Sequence, residues 1–282
     1  MSMIEQILEA VNDMPPFPQV VNKAMQVLAE PGYNVSDLVD IIKVDQAITA
    51  NLLKLCNSAY FGLPRKVSSL KEAVVYLGST QIRQLLLSGA AFKLYGKQND
   101  GYTFFADELW RHALATAIMA QVLHRHLKLK LDVNTVFTAA LLHDIGKVVL
   151  STFVSEKFVA IERIVEAGEK SFQEAEKEIL GCDHAEIGGR VAEKWEFPAD
   201  IVAAIRYHHD PTGVPRPYRL LTELVALSNN LAVIVGYGTG VDGLACRAQG
   251  QLLKSLRVEN KDLEKLIVLF HEDMEKTFDM IN

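Results

Sequence analysis

Apolar residues recur three and four apart along most of this 282-residue chain. Val20, Val21, Ala24, Val27 and Leu28 form one such stripe. Ile48, Leu52, Leu53 and Leu55 form a second, and Leu109, Ala113, Ala117 and Ala120 a third. That spacing lines one face of an α-helix. No stretch alternates with period two between Asn-Gly or Asp-Gly turns. The pattern therefore predicts an all-α protein of about a dozen helices or more, with no sheet.

Start and stop signals agree. Ser69-Leu70-Lys71-Glu72 and Ser171-Phe172-Gln173-Glu174 read as capping boxes, the hydroxyl accepting from a free backbone N–H while the glutamate reaches back. Asp183-His184-Ala185-Glu186 has the same spacing with aspartate as the cap. Gly78 and Gly181 stand where helix C-termini favour left-handed backbone. Met14-Pro15-Pro16-Phe17-Pro18 and Glu30-Pro31-Gly32 separate helices without long linkers.

The polar segment Tyr95-Gly96-Lys97-Gln98-Asn99-Asp100-Gly101 is the best internal boundary. It predicts two lobes, residues 1–100 and residues 101–282, the second closed by a helix from Lys261 to Phe278. All eight histidines fall in the second lobe. Gly236-Tyr237-Gly238-Thr239-Gly240-Val241-Asp242-Gly243 lacks the Gly-Lys-Ser/Thr ending and the preceding strand of a phosphate loop, so it reads as a flexible connection.

Composition narrows the class. Hydrophobic residues make up 49% and charged residues 23%, enough apolar side chain for a sizeable core. A net charge of −6 with no basic tract disfavours nucleic acid as a partner. Cys56, Cys182 and Cys246 are scattered, which argues against disulfides or a zinc ribbon and suits a reducing cytoplasm. Neither a secretory leader at Met1-Ser2-Met3-Ile4-Glu5-Gln6 nor an uninterrupted membrane-length apolar run is present, so the expectation is a cytoplasmic protein with no membrane partner.

Candidate chemistry lies in His112, His143-Asp144, His184 and His208-His209-Asp210. The His-Asp dipeptide occurs twice and by itself carries little weight. Its context carries more: His143-Asp144 interrupts the run Thr138–Leu150, read here as one strongly apolar helix, where ionisable groups are costly unless paired or metal-bound. Lys147 follows Asp144 by three residues and His143 by four, on the same helical face. Imidazole suits iron, manganese, zinc or nickel, and a carboxylate can bridge two such ions. Each histidine taken singly also has a plain structural reading, as a core residue or as a partner for a helix C-terminus. His124, His126 and His271 sit in charged surroundings and read as surface.

The order His112, His143-Asp144, His184, His208-His209 resembles the ligand order of the HD phosphohydrolase superfamily, and its HD-GYP branch in particular. Leu141-Leu142-His143-Asp144-Ile145-Gly146-Lys147 is the most specific part of that likeness. The N-terminal half is similar to the HDOD branch through Pro15-Pro16-Phe17-Pro18, the run Ile41–Thr49, Asn57-Ser58-Ala59-Tyr60-Phe61-Gly62 and Ala73-Val74-Val75-Tyr76-Leu77-Gly78. Together the matching stretches cover residues 14–235.

The resemblance implies an HD-like multi-helix bundle in two lobes. It implies a divalent transition metal (iron, manganese, zinc or nickel) held by His112, His143, Asp144, His184, His208 and His209. Two departures matter. The late aspartate of HD enzymes is replaced by Ser228 or Asn229, and the Gly-Tyr-Pro loop of the HD-GYP branch is missing after His208-His209. Asp210 is a possible substitute ligand. The resemblance thus implies a signal-transduction module, with no receiver or cyclase domain in this chain, that binds a signalling protein or a small phosphorylated ligand. The alternative is a metal-dependent phosphohydrolase acting on a phosphodiester or nucleotide, with Asp144 and Lys147 as its catalytic residues. A third reading is a helical scaffold without metal.

Overall fold

The computed structural model describes residues 2–57, 66–95, 108–168, 170–238 and 249–281. Among these the chain forms fourteen α-helices and a short 3-10 turn at Arg216–Tyr218, with no strand. The all-α expectation holds.

The helices divide between two compact units. The first comprises Pro16–Ala90 and His271–Asn282. It contains α2 (Gln19–Ala29), α3 (Val35–Ile42), α4 (Gln46–Cys56), the larger part of α5 (Leu70–Tyr95) and the end of α14 (Asn260–Ile281). Its helices bury single stripes: Val21, Ala24 and Leu28 on α2, Leu38 and Ile42 on α3, Leu52 and Leu55 on α4. Asn34 and Asp45 cap α3 and α4 by accepting from Ser36 N and Ile48 N. Gly78, at φ 73°, breaks α5 into two helices in series, which is why a glycine stands there. Asn57 holds the backbone of Val67 from both sides, Nδ2 donating to its carbonyl and Oδ1 accepting from its N–H, each at 2.7 Å. That residue ties a turn. Ser58, Tyr60 and Phe61, grouped with it in the sequence, lie outside the described residues, as do 96–101 of the polar boundary, 239–243 of the glycine run, and Cys246.

The second unit comprises Met1–Pro15 and Ala91–Phe270. It holds α1 (Met3–Asp13), α6 (Glu108–Leu127), α7 (Val133–Leu142), α8 (Ile145–Glu166), α9 (Phe172–Leu180), α10 (His184–Lys194), α11 (Ala199–Tyr207), α12 (Arg219–Ile234) and α13 (Gln249–Leu256). The alanines of α6 let α7 and α12 close on it, so that it is buried almost all round. A second group forms where α10 and α9 pack on α8 and α1 rests on α8 and α10. α11 touches α7, α10 and α12 and joins the groups. The C-terminal end of α1 is fixed by Lys194, which donates to the carbonyls of Val11, Asn12 and Met14, and by Trp195 Nε1 to Pro15 O.

Two sequence expectations change here. The apolar run around His143-Asp144 is two helices: α7 stops at Leu142, His143 and Asp144 form the turn, and α8 begins at Ile145. The segment Val133–Ser151 has the length and mean hydropathy of a membrane span, yet it bends at this turn and is mostly buried within the protein. His124, expected at the surface, is half-buried, its Nε2 2.9 Å from the Leu131 carbonyl across the turn that follows α6.

Candidate metal centre

Each predicted residue occupies a helix end or a fully packed helix. His112 lies on the buried α6, His143 closes α7, Asp144 precedes α8, His184 opens α10, and His208 and His209 follow α11. Asp183 caps α10 by accepting from Glu186 N at 2.8 Å, and the Ser171–Glu174 capping box forms as the sequence predicts. Gly146 sets the crossing of α8 on α10. A Cβ there would stand 1.9 Å from the His184 carbonyl oxygen and 2.6 Å from Gly188 N. Only glycine allows the two backbones to approach so closely, and that approach carries Asp144 to His184.

The six residues converge on the Asp144 carboxylate. Its Oδ2 lies 3.6 Å from His112 Nε2, 3.4 Å from His143 Nε2 and 2.8 Å from Lys147 Nζ. Its Oδ1 lies 3.3 Å from His184 Nε2 and 3.7 Å from His208 Nε2. His209 reaches the group through His184, with 2.8 Å between their Nε2 atoms. His112, His143, Asp144, Lys147, His184 and His208 are buried, whereas His209 is partly open to solvent. The possible ligand atoms fall into two sets sharing Asp144: His112 and His143 in one, His184, His208 and His209 in the other.

Which ring nitrogen carries the proton is decided by the acceptor each one meets. His112 Nδ1 faces Tyr237 O at 2.6 Å, His143 Nδ1 faces Ala140 O at 2.7 Å and His208 Nδ1 faces Ile205 O at 2.7 Å. A carbonyl oxygen only accepts, so these rings donate from Nδ1 and present bare Nε2 lone pairs inward. Lone pairs therefore point at an acceptor. His143 Nε2, His208 Nε2 and Asp144 Oδ1 are buried with no hydrogen-bond partner. Unsatisfied buried acceptors cost about 1–3 kcal/mol each. A divalent cation would satisfy all three at once, and imidazole with carboxylate is a donor set suited to iron, manganese, zinc or nickel.

The electrostatics show what stands there without an ion. Burial, partly opposed by Asp144, lowers the His112 pKa to about 4. Burial and then His143 push His208 well below the usual imidazole range. Burial works against a charge on Asp144, but the neighbouring His143 and Lys147 outweigh it and hold its carboxyl well below the carboxylate range. His184 is the exception: burial opposes its charge, and the Glu176 carboxylate overrides burial and lifts its pKa to about 9. His184 thus holds a proton among the lone pairs, and metal binding would displace it.

Glu176 was not singled out from the sequence. It is fully buried on α9, and its Oε2 accepts from both His184 N at 3.0 Å and His184 Nδ1 at 2.5 Å. The available signal was its position: a glutamate midway between Phe172 and Leu180, on the apolar face of a short amphipathic helix. Asp210 is exposed and accepts from Thr212 Oγ1 at 2.5 Å, outside both ligand sets. Ser228 is buried on α12, its hydroxyl donating to Leu224 O at 2.7 Å.

Comparison with known proteins gives the family. The family model of the HDOD domain matches residues 14–211. The chain belongs to the HDOD family. An uncharacterized protein of Treponema pallidum is 28% identical over 225 residues, covering 79% of this chain and 43% of that relative. This HDOD chain therefore spans less than half the length of the curated relative it matches. Among solved structures, an HDOD domain protein of unknown function from Geobacter sulfurreducens superposes with a TM-score of 0.73 at 24% identity, covering 98% of both chains. A Shewanella amazonensis protein provisionally called a phosphohydrolase gives 0.73 at 25% identity, over 97% of both. A Marinobacter aquaeolei protein described as acting in signal transduction gives 0.74 at 20%, over 99% of this chain and 66% of that one.

Proposed function

We propose that this HDOD chain is a regulatory module that acts by binding a signalling protein or a small phosphorylated ligand. Its histidine centre holds a divalent transition metal without efficient turnover. The observation that carries this is Ser228. Where the HD pattern calls for a late aspartate, α12 offers Ser228 or Asn229, both buried and without a carboxylate, and the Ser228 proton is committed to Leu224 O. Asp210, the candidate substitute, faces solvent and Thr212. Among the described residues one ligating carboxylate remains, and Lys147 neutralises it from 2.8 Å.

His112, His143, Asp144, His184, His208 and His209 would hold the metal. A bound ion there supplies Lewis acidity and charge. The protein's own contribution is order: the carbonyls of Tyr237, Ala140 and Ile205 fix three tautomers, Glu176 fixes a fourth ring, and burial of all but His209 leaves one side for access. Closure of this kind suits a structural or sensing ion better than an open catalytic one. The partner surface is sought in the first unit, where Val44, Val75 and Tyr76 are exposed on elements carrying the family-like stretches.

The second reading, a metal-dependent phosphohydrolase with Asp144 and Lys147 as catalytic residues, draws on one observation: the ligand atoms form two sets sharing Asp144, the layout of a bridged pair of ions. Elemental analysis of wild type, His143→Ala and Asp144→Ala, combined with phosphodiester hydrolysis in added manganese, separates the readings. The expected result is metal in the wild type, loss in Asp144→Ala, a lowered content in His143→Ala and no measurable turnover. Robust hydrolysis abolished by both substitutions would establish the enzyme instead. Equal, negligible metal in all three proteins would leave a helical scaffold.

A further inference from the structure

The two ligand sets around Asp144 are not equivalent. In the first, His112 and His143 face Oδ2, the oxygen already bonded to the Lys147 ammonium at 2.8 Å. Their outer nitrogens rest on neutral carbonyls, those of Tyr237 and Ala140. Among the described residues a cation placed there has three ligands, His112, His143 and Asp144, and a positive neighbour on the carboxylate oxygen it would use. In the second set, His184 and His208 face Oδ1, which is buried and has no hydrogen-bond partner, and His209 adds a third imidazole. That set offers four ligands, the number preferred by a tetrahedral ion.

Glu176 adds the decisive difference. It comes from α9 and places one carboxylate oxygen on both the backbone N–H and the ring Nδ1 of His184. The backbone N–H belongs to the first turn of α10, where donors lack intrahelical partners and the helix dipole favours an anion. A carboxylate behind a ligating imidazole fixes the ring and makes its other nitrogen a stronger donor.

We propose that Glu176 is a positioning residue which, through His184, makes the His184–His208–His209–Asp144 set the high-affinity subsite. It supplies the second negative charge that Ser228 does not. The His112–His143 set is then the weak one. This rests on the metal-binding reading above and adds which half of the centre fills and why.

Glu176→Gln is the informative change. Its amide oxygen can accept from the same two N–H groups, so position is kept and charge is lost. Cobalt(II) titration of the full chain, followed by visible absorption and by elemental analysis, is compared for wild type, E176Q, E176D and His112→Ala, with circular dichroism as the check on folding. Wild type should take up one tightly held cobalt with a ligand-field spectrum of low coordination number. H112A should keep that ion and spectrum. E176Q should bind it about 10–100-fold more weakly. E176D, which retains the charge, should restore most of the affinity and remains the test if E176Q does not fold. Cobalt affinity and spectrum unchanged in E176Q would overturn the proposal while leaving the metal reading intact. Loss of the tight ion in H112A with retention in E176Q would reverse the order of the subsites and also overturn it. A wild type that binds no cobalt would overturn this inference and the metal reading together.

Discussion

The unit built on Pro16–Ala90 and the unit built on Ala91–Phe270 are both helical, yet they bury different things. In the former, α2 to α5 cover apolar stripes, and among the described residues Ser88 is its one buried polar side chain. In the latter, His112, His143, Asp144, Lys147, Glu176, Asp183, His184 and Glu223 are all buried. A helix with one wet face can keep its polar groups in water. α6, packed almost all round, cannot, so its buried His112 must find a partner in the interior, and Tyr237 O provides it. The comparison teaches that ionisable side chains in this core are ordered by fixed partners, carbonyls for the rings of His112, His143 and His208 and donors for the carboxylates of Asp144, Glu176, Asp183 and Glu223. The HDOD chain thus keeps its candidate chemistry in one unit, whereas exposed apolar residues occur in both, Val44, Val75 and Tyr76 in the former and Phe92, Val159 and Val268 in the latter.

The largest effect that would break this contrast is expected from Gly146→Ala. The added methyl meets backbone, which cannot give way as a side chain does, so α8 and α10 must separate. We expect a loss of more than about 4 kcal/mol in denaturant unfolding, with metal binding abolished. Next comes Asp144→Ala, which removes the carboxylate paired with the buried Lys147 ammonium and should cost about 3 kcal/mol. Adding Lys147→Met should recover much of that stability without restoring metal. If the double variant melts no higher than the single one, Lys147 and Asp144 are not an energetic pair.

A smaller and two-sided effect concerns pH in the metal-free protein. His184, with a folded pKa of about 9, holds its proton more tightly than the unfolded chain does. The stabilisation it gives is complete below its ordinary value of 6.5 and is lost as pH rises through 9. His112 has the opposite sign: its folded pKa of about 4 means that the unfolded chain takes up the proton first, so stability falls as pH drops from 6.5 towards 4. Melting temperature against pH should therefore fall on both sides of a maximum. E176Q should flatten the alkaline limb and His112→Gln the acid one. The smallest effect belongs to the other unit. At Gly89, in the second half of α5, an added Cβ would meet nothing within 4 Å, so Gly89→Ala should raise stability by about 0.5–1 kcal/mol and leave metal content unchanged.

The local order of this chain was legible because its causes are local. Periodic apolar residues, the Ser171–Glu174 box, the Asp183 cap and the left-handed Gly181 all act within a turn or two of helix, and each appears where the pattern predicts. The residue types of the site and their order along the chain were legible too, since a histidine in an apolar context advertises its own cost. What the pattern missed has longer range. The turn at His143-Asp144 is hidden inside an apolar run because packing against other helices, which periodicity does not report, decides where α7 stops. Glu176 looked like an ordinary helical glutamate until α9 turned it towards a ring eight residues away.

By itself, then, the sequence determined the helices, their caps, the family and the set of groups available for chemistry, all of which follow from neighbours along the chain. Only the tertiary structure decided which nitrogen of each ring faces inward, that Asp144 Oδ1 stays bare while Oδ2 takes Lys147, and that Glu176 stands behind His184. The Tyr237 carbonyl and the Glu176 carboxylate come from outside the helices that carry His112 and His184. Ala140 O, Ile205 O and Lys147 stand three residues from their partners and act because the helices end and pack as they do.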